Sequence, residues 1–223
     1  MKLILASSSK FKIDTFNKVG LKHISVDSKF EEDKLLKERI KNKNKDPYEY
    51  VKYLAEGKAK SALEKIQKEN KSKKENKNKD KNQKSIQNLD DAIIIGLDTI
   101  VYSNGKILEK PKDVEEEKNN LKMSSENINR VITGIYLINL KTNEEIKDFQ
   151  ETKVHFKKIA DEDIDYYINN EKDAKYASGY IMETYVSNFL EKIDGSFYNV
   201  LGSPVEKIYT HLNNWGIHLK DLD

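Results

Sequence analysis

Cysteine is absent from this chain of 223 residues, which excludes disulfide cross-links and thiolate metal sites and agrees with a reducing compartment. No apolar stretch approaches the ~18 residues that a membrane span needs. The opening Met1-Lys2-Leu3-Ile4-Leu5-Ala6 is too short for the core of a secretory signal, so a soluble cytoplasmic protein is expected. The four histidines, His23, His155, His211 and His218, have no ligand spacing, which argues against zinc. There is neither a P-loop nor a Gly-x-Gly-x-x-Gly, so the common nucleotide folds find no support. No order of serine, histidine and aspartate points to acyl transfer.

Formal charge is nearly balanced at +2, but it is unevenly spread. Gln67 to Asn88 carries eight lysines, five asparagines and three acidic residues, with one large apolar residue, Ile86. That composition cannot bury enough surface to fold by itself. It reads as a disordered insertion, at about 67–88, within a single domain spanning 1–223. Nucleic acid is not the expected partner, because the tract lacks interleaved aromatics and arginines. The rest of the chain is long enough for one large domain or two lobes with a real core.

Strand and helix patterns alternate. Leu3 to Ala6 reads as a short buried strand, followed by Ser7-Ser8-Ser9 and a helix with Ile13, Phe16 and Val19 on one face, closed by Gly20. Asp46, Pro47 and Glu49 mark the start of a helix expected to run to Ile66. Ala92 to Val101 is a buried strand, Lys106–Leu108 a short one, and Asp113 opens a helix to Met123. Further strands are expected at Asn129–Leu140 and around Val154 and Phe156, with a helix over Asp161–Asn170. Ser203-Pro204-Val205-Glu206 has the form of a capping box opening a last helix that Gly216 ends. The pattern is that of an α/β fold.

Two charges stand out of place. Asp98 lies inside the apolar run Ala92 to Val101, where an unpaired carboxylate costs several kcal/mol or titrates to neutral. A metal ion or a lysine opposite would stabilise it; otherwise the strand ends near Leu97 and Asp98 caps a turn. Lys58 falls within the stripe formed by Val51, Leu54, Ala55, Ala59, Ala62 and Ile66. Either its stem snorkels to water or it meets an anion, and replacing it with methionine is expected to stabilise, or barely alter, the helix. The serine turn before a helix N-terminus is a physical anion site, supplemented by Lys10 and Lys12. Glu31 and Glu32 lie in a polar stretch, where a solvated surface is the ordinary outcome. Lys110 precedes Pro111 and so projects from an extended backbone.

The motifs Ala6-Ser7-Ser8-Ser9, Leu54-Ala55-x-x-Lys58-Ala59, Gly96-x-Asp98-Thr99-Ile100-Val101, Leu108-x-Lys110-Pro111, Val131-x-Thr133-Gly134, Gly179-Tyr180 and Gly195-Ser196-x-x-Asn199-Val200-x-Gly202-x-Pro204 occur in that order. Together they resemble the Maf family of nucleoside triphosphate pyrophosphatases, from Leu3 to about Gly216. The resemblance implies a mixed sheet with flanking helices and a cleft between two lobes, like that of inosine triphosphate pyrophosphatases. It implies hydrolysis of a nucleoside triphosphate, such as dTTP, UTP or a modified nucleotide, to the monophosphate and diphosphate. The cofactor implied is a divalent cation, Mg²⁺ or Mn²⁺, held by Asp98 and Glu32, with Glu31 the alternative to Glu32. On the same resemblance Lys58 and Lys110 are catalytic lysines, and Ser7, Ser9, Lys12, Thr99 and Glu183 contact substrate. A homodimer is a common state in the family.

The chain departs from the family pattern where proline and two arginines usually follow the serine turn; here stand Lys10, Phe11 and Lys12. Lys12 keeps a charge but not the bidentate fork, and Phe11 keeps neither. Glu183 occupies the place of a glutamine common in members acting on dTTP and UTP, and an ionised carboxylate donates no hydrogen bond. These departures leave room for a second reading, a nucleotide-binding regulator of cell division with weak catalysis.

Overall fold

The computed structural model describes residues 1–28, 30, 46–75, 89–171 and 181–222. Seven strands form one mixed sheet in the order β2-β1-β3-β5-β6-β7, with β4 paired to β3 off this path. The strands are β1 (Lys2–Leu5), β2 (His23–Ser25), β3 (Ala92–Ser103), β4 (Lys106–Leu108), β5 (Ile128–Asn139), β6 (Glu144–Phe156) and β7 (Leu190–Asp194). Both β2 and β3 run parallel to β1, while the β3–β5–β6–β7 and β3–β4 pairings are antiparallel. The helices are α1 (Lys10–Lys18), α2 (Pro47–Glu75), α3 (Val114–Ser124), α4 (Asp161–Asn170), α5 (Phe197–Val200) and α6 (Val205–Asn214). No helix among the described residues is long and apolar enough to cross a membrane.

Strand β3 organises the molecule. It pairs with β5 from Ile93 to Tyr102 along one edge. Along its other edge β1 covers Ala92 to Ile95, and β4 covers Val101 to Ser103. Between these two, Gly96 to Ile100 face no neighbouring strand among the described residues. The apolar alternation is interrupted at the same place. Towards α1 and α6, Leu97 and Ile135 belong to one core cluster, and Val101 and Val131 to a second. Thr99 and Thr133 lie between them. Towards α2, Ile94 and Tyr136 belong to a third cluster, and Ile100 and Ile132 to a fourth. Gly96, Asp98 and Gly134 fill that gap. Both faces thus change core at one line across β3 and β5.

Helix α2 lies directly on the sheet along this line. Ala55, Ala59 and Ala62 are fully buried, and their small side chains let the helix backbone approach. A Cβ on Gly96 would stand 2.1 Å from the Ala55 carbonyl oxygen, and one on Gly134 would stand 2.1 Å from that of Val51. Asp46 accepts from the Glu49 N–H at 3.0 Å, as the sequence predicts for the helix start.

Several expectations need correction. Helix α2 does not end at Ile66 but continues to Glu75, because Gln67 to Glu75 contains good helix formers and no proline or glycine. The rest of the expected insertion, 76–88, lies outside the described residues. The capping box at Ser203 and Glu206 does not form. Helix α6 starts after Pro204 without a side-chain cap, the Ser203 hydroxyl is buried without a partner, and Glu206 instead accepts from Ser196. Strands β2 and β7 and helix α5 are too short to announce themselves in the sequence. By contrast, Gly20 and Gly216 close α1 and α6 with φ of 75° and 72°, a left-handed conformation that suits glycine.

The close approach of α2 gives a direct test. The main-chain carbonyl of Val51 cannot swing aside for a Cβ at Gly134, so Gly134→Ala should cost about 1–3 kcal/mol or more by overpacking. In a chain of this size that lowers Tm by several degrees, at about 2–4 °C per kcal/mol. Thermal unfolding measures it, and an unchanged Tm would contradict the close approach.

Candidate functional site

The line where the cores change is also where the out-of-place charges meet. Asp98 sits mid-strand in β3 and is buried, so it does not cap a turn. Its Oδ1 is in direct contact with Lys58 Nζ from α2. The side chains are 22% and 11% exposed for Lys58 and Asp98, too buried for the pair to count as an ordinary surface ion pair. Gly96, two residues before Asp98 on the same face, admits the helix closely enough for a lysine one turn on to reach the carboxylate. The contact argues against the expectation that losing Lys58 would stabilise, or barely alter, the helix. Its removal would leave Asp98 buried without its cation, which is destabilising.

Lys12 approaches the same line from α1. Its Nζ lies 3.5 Å from Thr99 Oγ1, and Thr99 Oγ1 lies 3.0 Å from Thr133 Oγ1. Burial, and next the Lys58 ammonium, pull the Lys12 ammonium down to about 8, against the upward influence of Asp98; Lys110 lowers it further. Lys110 itself is exposed just beyond β4. Lys12 is thus within electrostatic reach of Asp98, Lys58 and Lys110 at the open edge of β3.

The opening turn runs into α1 as expected. Ser9 N–H donates to Ser7 Oγ at 3.1 Å, and the Ile13 N–H donates to the Ser9 carbonyl at 3.0 Å. Ser9 precedes the helix without using its side chain as a cap, so both Ser9 Oγ and the first helical N–H groups belong to the turn's donor set. Glu183 is exposed and pairs with Lys18 at 3.2 Å, not with the lysines around Asp98. Such an exposed pair contributes little to stability. Glu31 and Glu32 lie outside the described residues, as do Gly179 and Tyr180.

Sequence reasoning did not single out Thr133 or Gly202 as site residues. Thr133 is fully buried. Gly202 has φ +76°, and a Cβ there would stand 3.0 Å from Thr99 Oγ1 and 3.4 Å from Lys12 Nζ. Asn199 ties this turn to the sheet by donating to the Val131 carbonyl and to Thr152 Oγ1, both at 3.0 Å. A polar residue at the buried register of an apolar strand was the available signal for Thr133.

The sequence profile of the Maf family, described as Maf-like protein, matches residues 2–215. This chain belongs to the Maf family. It is 37% identical over 219 residues to the dTTP/UTP pyrophosphatase of Clostridium acetobutylicum, covering 98% of this chain and 100% of that protein. The dTTP/UTP pyrophosphatase of Clostridium botulinum (strain Okra / Type B1) is 32% identical over 218 residues, covering 97% and 98%. That of Alkaliphilus oremlandii is 43% identical over 124 residues, covering 56% of this chain and 64% of that protein. The mixed seven-stranded sheet with flanking helices is the α/β architecture expected of a Maf protein.

Lys12 gives this Maf protein a pH signature. Its folded value, about 8, lies below the ordinary 10.5, so the unfolded chain binds more protons between those values. Stability from this group therefore rises with pH across that window, and the penalty is full below about 8. Lys12→Met should raise Tm at neutral pH, with the gain shrinking as pH climbs from about 8 to 10.5. Thermal melts of both proteins across the window test this; a gain that stays constant would contradict the buried, charge-crowded position of Lys12.

Proposed function

We propose that this Maf protein hydrolyses nucleoside triphosphates between the α- and β-phosphates, with dTTP and UTP as substrates. The observation that carries the reading is the grouping of Asp98 with Lys12, Lys58 and Lys110 at the unpaired edge of β3. A triphosphate is the polyanion that such a set of cations would match. The names of the full-length relatives, dTTP/UTP pyrophosphatase, support the same choice of reaction and bases.

In the proposed reaction water attacks the α-phosphorus, the bond to the bridging oxygen breaks, and diphosphate leaves with the electron pair. Lys12, Lys58 and Lys110 spread positive charge over the phosphates as that oxygen becomes anionic. The Ser7–Ser9 turn and the free N–H groups at the start of α1 supply further donors. Thr99 lines the site beside Lys12. Asp98 is the carboxylate that aligns or deprotonates the water. Glu183 contacts the base, where its carboxylate can accept from the ring N3–H of uracil or thymine.

The donor chemistry fits a hard divalent cation. No group of three or more His, Cys, Asp or Glu forms among the described residues, and Asp98, whose Oδ1 contacts Lys58 Nζ, offers a carboxylate oxygen as donor. That suits Mg²⁺ or Mn²⁺, which bind through one or two carboxylates together with phosphate oxygens and water. Asp98 and Glu32 would hold the ion, which when bound neutralises phosphate charge. A cytoplasmic location and a homodimer belong to this reading through the family resemblance alone.

A panel of triphosphates with Mg²⁺, scored for diphosphate release, tests the reaction; no release from UTP or dTTP would overturn it. Asp98→Asn should lower turnover by at least ~100-fold. Lys58→Met should lower kcat/KM by about ten- to a hundredfold and also lower Tm, since it strands Asp98. Combining the two substitutions should recover stability without activity. Wild-type turnover in Asp98→Asn would remove that carboxylate from the mechanism.

A further inference from the structure

On the sheet face opposite α2, Thr99 and Thr133 stand directly across from each other in the β3–β5 register. The next residues along this face are apolar on both sides, Leu97 with Ile135 and Val101 with Val131. Thr133 is fully buried, and a buried hydroxyl is costly unless it finds a partner. Its Oγ1 lies 3.0 Å from that of Thr99, which in turn lies 3.5 Å from Lys12 Nζ. A threonine hydroxyl has one proton, and a charged ammonium only donates. With Thr99 accepting from Lys12, its own proton is free to turn to Thr133, one of the two directions that the 3.0 Å contact allows.

The charges around Lys12 give this anchor work to do. Among the described residues, Lys58 on α2 and Lys110 beyond β4 repel it, while Asp98 on β3 attracts it. Asp98 is already engaged by Lys58. A four-carbon stem has many rotamers, so two like charges would push the ammonium outward unless a neutral acceptor held it. Gly202 borders the pair closely, since a Cβ there would press on Thr99 Oγ1 and Lys12 Nζ.

We infer that Thr133 is a positioning residue, which by accepting the Thr99 proton keeps the Thr99 hydroxyl, and through it the Lys12 ammonium, turned to the open edge of β3. The inference rests on the proposed reading in which Lys12 engages the triphosphate. Thr133→Val keeps the shape and removes the hydroxyl; Thr133→Ser keeps the hydroxyl. For UTP hydrolysis, Thr133→Val should raise KM about three- to tenfold with a smaller change in kcat, and Thr133→Ser should restore it. In a Lys12→Met background Thr133→Val should have no further effect. An undiminished effect in that background, or a serine variant as impaired as the valine one, would overturn the inference. A measurement without turnover separates it from the proposed reaction. In nucleotide-free protein, NMR titration of the Lys12 ammonium should show a lower midpoint in Thr133→Val than in wild type or Thr133→Ser, because the charged form has lost its oriented acceptor. An unchanged midpoint would overturn the inference even in an active enzyme, whereas a wild type that releases no diphosphate but shows the shift would overturn only the reaction.

Discussion

The contact between the backbone of α2 and the sheet at Gly96 and Gly134 is the constraint on which the site depends. Ordinary side chains at those positions would hold the helix away from β3 and β5 by the width of a methyl group or more. Lys58 and Asp98 would then face each other across a gap, and each would need another partner. With glycine on the sheet and alanines on the helix, two charged residues can be carried on regular elements and still meet. Rigid elements locate a site more precisely than loops do.

Electrostatics at the site is crowded rather than balanced. Among the described residues, Lys12 feels Lys58, Lys110 and Asp98 together, Lys58 contacts Asp98, and burial together with the crowding depresses Lys12 to about 8. The positive charge that the described residues gather there opposes folding, and a polyanionic ligand would relieve it. Stability and ligand affinity are therefore linked: the charge that weakens the free protein is the charge that a triphosphate would neutralise.

Much of this was legible from the amino-acid order because the informative residues break local rules. A carboxylate in an apolar strand and a lysine in an apolar helical stripe both flag unusual surroundings, and both are at the site. That they contact each other was not legible, since it depends on how closely α2 lies on the sheet, a property of tertiary packing. The extension of α2 past Ile66 shows composition misjudging a lysine-rich segment whose residues are good helix formers. The capping box at Ser203 does not form, since the helix starts one residue later, after Pro204, and the Glu206 carboxylate accepts instead from the Ser196 hydroxyl, a partner that no local window contains. Glu183 was tied to the site by motif position, and the fold places its carboxylate on Lys18.

Strands β3 and β5 each run through both pairs of core clusters without interruption, joined over ten residue pairs from Ile93↔Asn139 to Tyr102↔Arg130. A beam continuous across the junction resists bending there, because a hinge would have to break ladder hydrogen bonds in the middle of a buried sheet. The two halves can therefore change their relative angle only by small changes in twist. Adaptation to ligands of different size falls to the side chains along the open edge and to the segments that border it, and the distance between the halves stays set by the pitch of the strands.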